Sequence, residues 1–567
     1  MPSRRGLRGR RLVKNRLRPV FLWPPFPEPA EDVDVTDREQ LPPTPVDEHD
    51  KVVAPKAGGL MRSGLLVSVM TMLSRVMGLV RDVVIAALFG AGSGADAFFV
   101  AFKIPNFMRR LFAEGAFNQA FVPVLSEYAT RGSKREVREL LNAAAGSLTV
   151  VLAVLTALFM VAAPWLVWVF APGFGRDPAK LALTADMLRL TFPYLLLISL
   201  TAFSGSVLNT WNRFAIPAFT PVLLNLSLIA AALLLTPLMT EPAMALAWGV
   251  LIAGVAQLAF QVPFLVRLGL MPRPWPSFVH PGVKQIMVLM APALFGVSVS
   301  QINLLLDTIL ASLLAPGSVS WLYYSDRLVE LPLGVFGIAI GTVILPALSK
   351  RHAEQSGQHF SEMLDWAIRA VLLLGLPAAL ALAILAEPLL ISLFHYGAMT
   401  DHDIAMAAMS LRAYAFGLVA FMLIKVLAPG FFARQNTKTP VKIGIIAMVA
   451  NMVLNLILIW PLAHAGLALA TALSAFLNAG LLGWLLYKER VLVFQPGWGR
   501  YAVQLLGGSA VMSIGLLWIS PDWQAWLGWD VWTRVAWLAA LVVAGAGVYF
   551  AWLAAFGMRL RHFRMKS

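Results

Sequence analysis

The sequence predicts an all-α polytopic membrane protein. It has about 14 transmembrane helices, set as two parallel-repeat six-helix lobes plus two extra C-terminal helices. Three observations carry this. Of 567 residues, 59% are apolar and 13% charged, about half the charged share of a soluble domain, and the mean hydropathy is +0.74. Apolar stretches of 18 residues or more, each able to cross a hydrocarbon core about 30 Å thick, recur from Leu60 almost to the end. Membrane-barrel strands would alternate over about ten residues instead. Finally, the chain repeats itself with a period near 224 residues.

Residues 1–20 hold eight basic residues and no acid, and residues 21–59 are rich in proline and acid. Such a composition cannot bury a core, so 1–59 reads as a disordered cytoplasmic extension. It is not a signal peptide, because no apolar core with a cleavage site follows the basic run. It is either a basic arm for anionic headgroups or dispensable, with Met61 as the true start. The spans are expected near 62–90, 95–128, 138–170, 181–209, 216–237, 242–268, 283–313, 318–349, 361–395, 403–432, 439–462, 465–488, 500–520 and 532–556. With the N-terminus inside, cytoplasmic loops and tail hold twenty basic residues, and the outer loops hold only Arg176, Lys180 and Arg534. That asymmetry satisfies the positive-inside rule. It places both termini in the cytoplasm and accounts for the net charge of +15 without a nucleic-acid partner.

The repeat defines the domains. Asp82, Gly92-Ser93 and Phe98-Phe99 recur as Asp307, Gly317-Ser318 and Tyr323-Tyr324, an offset of 225. Pro123–Ser126 recurs as Pro346–Ser349 at 223, Pro164–Phe170 as Pro388–Phe394 at 224, and the turn ending at Pro217 as that ending at Pro440 at 223. Each copy spans six helices, so both have one topology, and a substrate site is expected between them. The expected division is 60–275 for the N-terminal lobe, 276–492 for the C-terminal lobe, and 493–567 for the last two helices with a basic tail.

Charge inside the membrane marks the site. The segment from Arg75 to Arg110 embeds Arg75, Arg81, Asp82, Asp96, Lys103, Arg109 and Arg110 in two apolar spans. An ionisable group near the bilayer centre costs roughly 2.5–3.5 kcal/mol even on the mildest scale. Arg75 and Arg109 lie about 20 Å into their helices at 1.5 Å per residue, and Arg327 lies at comparable depth in the second repeat. Any one arginine could be structural: Arg81 with Asp82 or Asp96, Arg327 with Asp326 or Glu330. As a set they outnumber the acids, and guanidinium is the usual planar reader of phosphate. Asp96 and Glu114 are expected to orient arginines or balance charge. Lys425 lies near a helix end where it can snorkel, and Asp365–Arg369 is a local i,i+4 pair. Gly78, Pro105, Gly115 and Pro123 are hinge candidates.

Much chemistry is excluded. There is no cysteine, hence no disulfide or thiol nucleophile. The eight histidines show no metal-ligand spacing, and no phosphate-loop motif for ATP occurs. Loops are too short for an extramembrane catalytic domain, which disfavours a membrane glycosyltransferase.

The runs SRVMGLVRD (Ser74 to Asp82), FGAGSGADAFFVAFKIPN (Phe89 to Asn106), RRLFAEGAFNQAFVPVLSEY (Arg109 to Tyr128), NTWNRFAIPAF (Asn209 to Phe219), SVSWLYYSDRLVELP (Ser318 to Pro332) and KVLAPGFFARQNTKTPVK (Lys425 to Lys442) resemble the MurJ (MviN) lipid II flippases of the MOP exporter superfamily. The resemblance covers about 60–567. It implies a transporter, not an enzyme, that moves lipid II from the cytoplasmic to the periplasmic leaflet of the bacterial inner membrane by alternating access, for peptidoglycan synthesis. It implies a diphosphate site at Arg75, Arg81, Arg109 and Arg327. Asp96 is essential in the family, and Arg110, Glu114, Asp326, Glu330 and Lys425 are expected to support or gate. The last two helices would form a lipid-tail groove. Some members have a sodium site, whose positions match Asp307, Asn451, Asn455 and Thr471; polar interhelical packing is the competing reading of these four. No other cofactor is implied, and coupling would be to sodium or the membrane potential. The expected partners are lipid II, membrane lipids and cell-wall synthesis machinery. The same fold could instead export another polyprenyl-diphosphate-linked oligosaccharide or a drug, although a cavity for cationic drugs should be lined by acids and aromatics.

Overall fold

The computed structural model describes residues 60–354 and 356–558, and within them the side chains at 60–63, 65, 112–114, 292, 295–304, 338–339, 342–343 and 353 are left undescribed. The expectations for residues 1–59 and for the basic tail lie outside the described residues.

Every element among the described residues is helical. The first nine helices are α1 (Leu60–Phe89), α2 (Ser93–Arg109), α3 (Asn118–Arg131), α4 (Lys134–Val161), α5 (Ala163–Phe170), α6 (Pro178–Thr191), α7 (Pro193–Thr210), α8 (Ala215–Leu234) and α9 (Met244–Arg267). Then come α10 (Pro281–Ser312), α11 (Ser318–Pro332), α12 (Ile338–Ala353), α13 (Gly357–Ile384), α14 (Ala386–Phe394), α15 (Asp401–Phe432) and α16 (Lys438–Lys488). The chain ends in α17 (Trp498–Ile519), α18 (Trp523–Gly528) and α19 (Val531–Ala555). Nine helical stretches among the described residues are long and apolar enough to cross a membrane. One of them, α16, breaks at Ala463, whose φ of 47° and ψ of −127° fall outside the helical region, so it supplies two crossings. The four other expected spans are α1, α2 with α3, α10, and α11 with α12, the helices that carry most of the embedded charge.

Local chemistry sets several ends. Ser133 caps α4 in a reciprocal box with Glu136, and Thr400 does the same for α15 with Asp403. Each arrangement satisfies first-turn N–H groups that have no partner within the helix.

The repeat is visible in the backbone. A π-helical segment, Arg110–Phe117, joins α2 to α3, and a second, Leu333–Gly337, joins α11 to α12. Their starts are 223 residues apart, matching the sequence period. Gly115, a hinge candidate, lies inside the first of them. A π segment adds a residue to the turn and disturbs the regular ladder.

Among the first nine helices, α1 packs on α8, α8 and α7 on α9, and α2 on α6; further on, α15 packs on α16, α13 and α11. Helix α10 packs on α16 and also on α3 and the first π segment. The strand of chain before it is fastened to α4: Asn142 accepts from the Arg273 and Trp275 backbone N–H groups, and a Cβ on Gly146 would stand 2.3 Å from the Trp275 backbone. At the end of the bundle away from the basic loops, α1 meets the chain after α14. There Ala398 N–H donates to the Ala87 carbonyl at 2.8 Å. Gly90 and Gly397 both have positive φ, and a Cβ on either would strike the facing backbone, at 2.5 and 2.1 Å. That seam closes only on glycine.

Candidate functional site

A cavity of about 220 Å³ lies inside the bundle, lined from α2, α10, α11, α15 and α16. Phe99, Phe102, Lys103, Asn106 and Phe107 line it from α2, positions three and four apart that share one helix face, and Arg110 lines it from the start of the first π segment. The described lining holds Lys103, Arg110 and Arg327 against Asp307, Asp326 and Glu330. The expected excess of arginines over acids is therefore absent from this lining; the surplus comes from Arg75 and Arg109 outside it.

The four arginines differ in setting. Arg81 is buried, with Nε and Nη2 donating to Asp82 Oδ1 at 2.9 and 2.7 Å, Nη1 to Asn225 Oδ1 at 3.1 Å and Nη2 to the Tyr323 hydroxyl at 2.9 Å. Arg327 reaches the other Asp82 oxygen at 3.1 Å and Glu330 at 2.6 Å. Asp82 thus bridges Arg81 on α1 and Arg327 on α11, with Tyr323 donating to it at 2.9 Å. The Tyr323 ring stacks on Phe99 with centroids 3.9 Å apart. Arg75 is half-buried and crosses from α1 to the second π segment, where a Cβ on Gly334 would stand 2.1 Å from its Nη1. Glycine is what lets that guanidinium lie on the helix backbone. Arg109, also half-buried, donates to Asn106 at 2.7 Å.

Asp96 does not join them. Its carboxylate, 1% exposed, accepts from Lys180 Nζ at 2.9 Å, Gly317 N–H at 2.8 Å, and Ser320 N–H and Oγ at 3.0 and 2.6 Å. It ties α2 to the first turn of α11, where unpaired N–H groups favour an anion. Of the two expectations for Asp96, orienting an arginine or balancing charge, the structure shows the second, with Lys180 as its cation. Asp326 and Glu330 line the cavity, and Lys425 is exposed on α15, outside the cavity lining. The side chain of Glu114 lies outside the described residues. Asp365 and Arg369 form the expected local pair at 2.8 Å.

The four positions matched to a sodium site do meet. Asn455 Nδ2 donates to Asp307 at 2.8 Å and to Asn451 Oδ1 at 3.1 Å, and Thr471 Oγ1 donates to Asp307 at 3.3 Å. Asn455 Oδ1 is buried without a hydrogen-bond partner.

Sequence reasoning missed Lys180, Asn225 and Tyr323. The hydropathy pattern puts Lys180 in an outer loop, yet it is buried in the first turn of α6, capped by Asp177. The Asp177-Pro178 pair is a helix-start signal that would have placed it inside. Arg534 is likewise buried, donating to the carbonyls of Trp526, His395 and Leu527. Asn225 carries no signal in an apolar span, and the repeat marks Tyr323 only as the counterpart of Phe98.

A family profile described as "Lipid II flippase MurJ" matches residues 85–536. A probable lipid II flippase MurJ of Vibrio cholerae is 49% identical over 88% of this chain and 97% of its own length. One from Haemophilus influenzae is 48% identical over 88% and 100%, and the lipid II flippase MurJ of Burkholderia cenocepacia is 42% identical over 90% and 99%. A solved lipid II flippase MurJ in an inward closed conformation superposes with a TM-score of 0.74 at 26% identity, covering 87% of this chain and 98% of that one. An inward-facing multidrug MATE transporter of the MOP superfamily shares the fold alone, with a TM-score of 0.61 at 13% identity over 75% and 98%. With the family profile spanning most of its length and relatives near half identical almost end to end, this chain belongs to the lipid II flippase MurJ family.

Proposed function

We propose that this chain flips lipid II, an undecaprenyl diphosphate carrying a disaccharide-pentapeptide, from the cytoplasmic to the periplasmic leaflet of the bacterial inner membrane. It is a transporter and not an enzyme. The observation that supports the reading is a cavity lined by Arg110 and Arg327, with Arg81 joined to Arg327 through Asp82, in a chain of this family. Guanidinium matches phosphate oxygens with paired planar donors, and a diphosphate relieves charge that is costly to leave unpaired at this depth. Arg75, Arg81, Arg109 and Arg327 hold the diphosphate. Arg81 and Arg327 are engaged by Asp82, so incoming phosphate displaces a carboxylate rather than bulk water, and an anion of lower charge competes poorly.

The chain works as two lobes, 60–275 and 276–492, and 493–567 adds the helices that shelter the prenyl tail. The basic-loop face and both termini are cytoplasmic, as the charge asymmetry requires. The seam at Asp96, Gly90 and Gly397 is then the periplasmic gate, closed here, and Arg110, Glu114, Asp326, Glu330 and Lys425 support or gate the path. Substrate binding favours whichever arrangement of the lobes it binds more tightly, which is what alternating access needs. The Asp307, Asn451, Asn455 and Thr471 cluster fits a sodium ion: one carboxylate, neutral oxygens, and a buried amide oxygen with no donor. A cation there would supply one positive charge between α10 and α16, and coupling is to sodium or to the membrane potential.

The experiment is complementation in cells depleted of their own flippase, with lipid II quantified. Wild type restores growth and removes accumulated lipid II, whereas Arg75→Ala, Arg109→Ala and Arg327→Ala at normal protein levels do neither. Normal growth with all three variants would overturn the diphosphate assignment.

A further inference from the structure

Lys103 is an embedded charge to which the diphosphate site assigns no role. It sits on the cavity-facing side of α2, half-buried. It shares the cavity lining with Asp307, Asp326 and Glu330, which attract it, and with Arg110 and Arg327, which repel it. Of the three acids lining the cavity, Glu330 is paired with Arg327 at 2.6 Å. Asp307, on α10, is braced from the far side by Asn455 and Thr471 of α16. Those are neutral donors, so they leave its negative charge uncompensated, and Asn455 Oδ1 adds a buried acceptor without a donor. The cluster therefore has a surplus of oxygen, and Lys103, which lines the same cavity, comes from another helix.

We propose that Lys103 is a tethered competitor of the cation at the Asp307 cluster: its ammonium supplies the positive charge there while α2 stands against α10, and a monovalent cation replaces it when α2 withdraws. This rests on the sodium reading above. The Lys103 ammonium and a cation beside Asp307 would share a cavity of about 220 Å³, and their separation is taken as about 8 Å. At an effective dielectric of ~20 that repulsion weakens cation binding by roughly thirtyfold. The ammonium is tethered to α2 by a four-carbon stem, so its reach into the cavity depends on where α2 stands. Cation affinity is thus tied to the position of a helix, and an arrangement with α2 drawn away is the one the cation stabilises.

The test is thermal unfolding of the purified full chain against sodium chloride, with choline chloride holding the ionic strength. Wild type gains stability with sodium at some half-saturating concentration. Lys103→Met, or Lys103→Gln should the first variant fold poorly, lowers that concentration tenfold or more. Lys103→Arg, which keeps the charge, retains the wild-type value, and Asp307→Asn removes the response in every background. A neutral variant that responds at the wild-type concentration overturns the competitor role and leaves the cation site standing. No response to sodium in wild type or in either neutral variant overturns the cation site, and the competitor role with it.

Discussion

Asp96→Ala tests the gate most directly. Its carboxylate takes one bond from Lys180 on α6 and three from Gly317 and Ser320 on α11. The lysine bond joins α2 to a helix it packs against, so losing it destabilises open and closed arrangements alike. Only the three bonds to α11 belong to the seam. A hydrogen bond to a charged acceptor contributes about 1.5–3 kcal/mol net. Three on one carboxylate are not additive, and the freed N–H groups hydrate once the seam opens, so about 3 kcal/mol is a fair sum for the closed state. That is roughly 150-fold in the ratio of open to closed. The protein has no cysteine, so a single Val319→Cys is a clean reporter. Val319 lines the cavity behind the seam and is 7% exposed. A membrane-impermeant maleimide added outside should label it about a hundred times faster in the Asp96→Ala background. Equal labelling rates in two folded proteins would refute the gate and reduce Asp96 to a partner of Lys180.

Gly334→Ala should impair complementation at normal protein level, because its Cβ would stand 2.1 Å from Arg75 Nη1 and move that guanidinium off the helix; Gly444→Ala, with nothing within 4 Å, should leave growth unchanged. Arg534→Ala removes three donations to backbone carbonyls that join α18, α19 and the chain after α14; about 3 kcal/mol is expected, seen as a lower midpoint in thermal unfolding, and Arg534→Lys should not restore it because an ammonium lacks the planar fork. At the start of α19, outside the span, the Thr533 hydroxyl and nearby backbone N–H groups hold the Asp530 carboxyl below the usual carboxylate range. A depressed folded-state pKa contributes stability above the unfolded value of about 3.9 that is lost as pH falls through the folded one. Asp530→Asn should therefore flatten the acid limb of unfolding midpoint against pH, and an unchanged limb would assign the acid sensitivity elsewhere.

The embedded charge was legible because charge in an apolar span is expensive wherever it occurs. Arg75, Arg81, Arg109 and Arg327 stand out from the sequence on that ground alone, and the period near 224 paired Asp82 with Asp307 before any helix was placed. What each charge does was not legible. Arg81 had Asp82 beside it and Asp96 one helix on; only the fold shows that Asp82 holds it and is shared with Arg327. Lys180 and Arg534 were miscounted as loop charges because a span boundary drawn from hydropathy carries an error of several residues. Both lie within a turn or so of a helix start, where that error decides between water and burial.

The sequence by itself determined that the chain crosses a membrane many times as helices, in two copies of one topology, with guanidinium groups embedded in apolar spans. Those follow from hydrocarbon thickness, from the need to satisfy backbone polar groups within each span, and from the cost of embedded charge, all of them local or periodic properties. Only the tertiary structure decided that Asp96 joins Lys180 and the first turn of α11, that glycines at 90 and 397 close the seam, that the cavity lining balances three bases with three acids, and that Lys103 shares it with Asp307. Each of these depends on which residues more than eighty positions apart the fold brings together, and no composition or spacing along the chain encodes that.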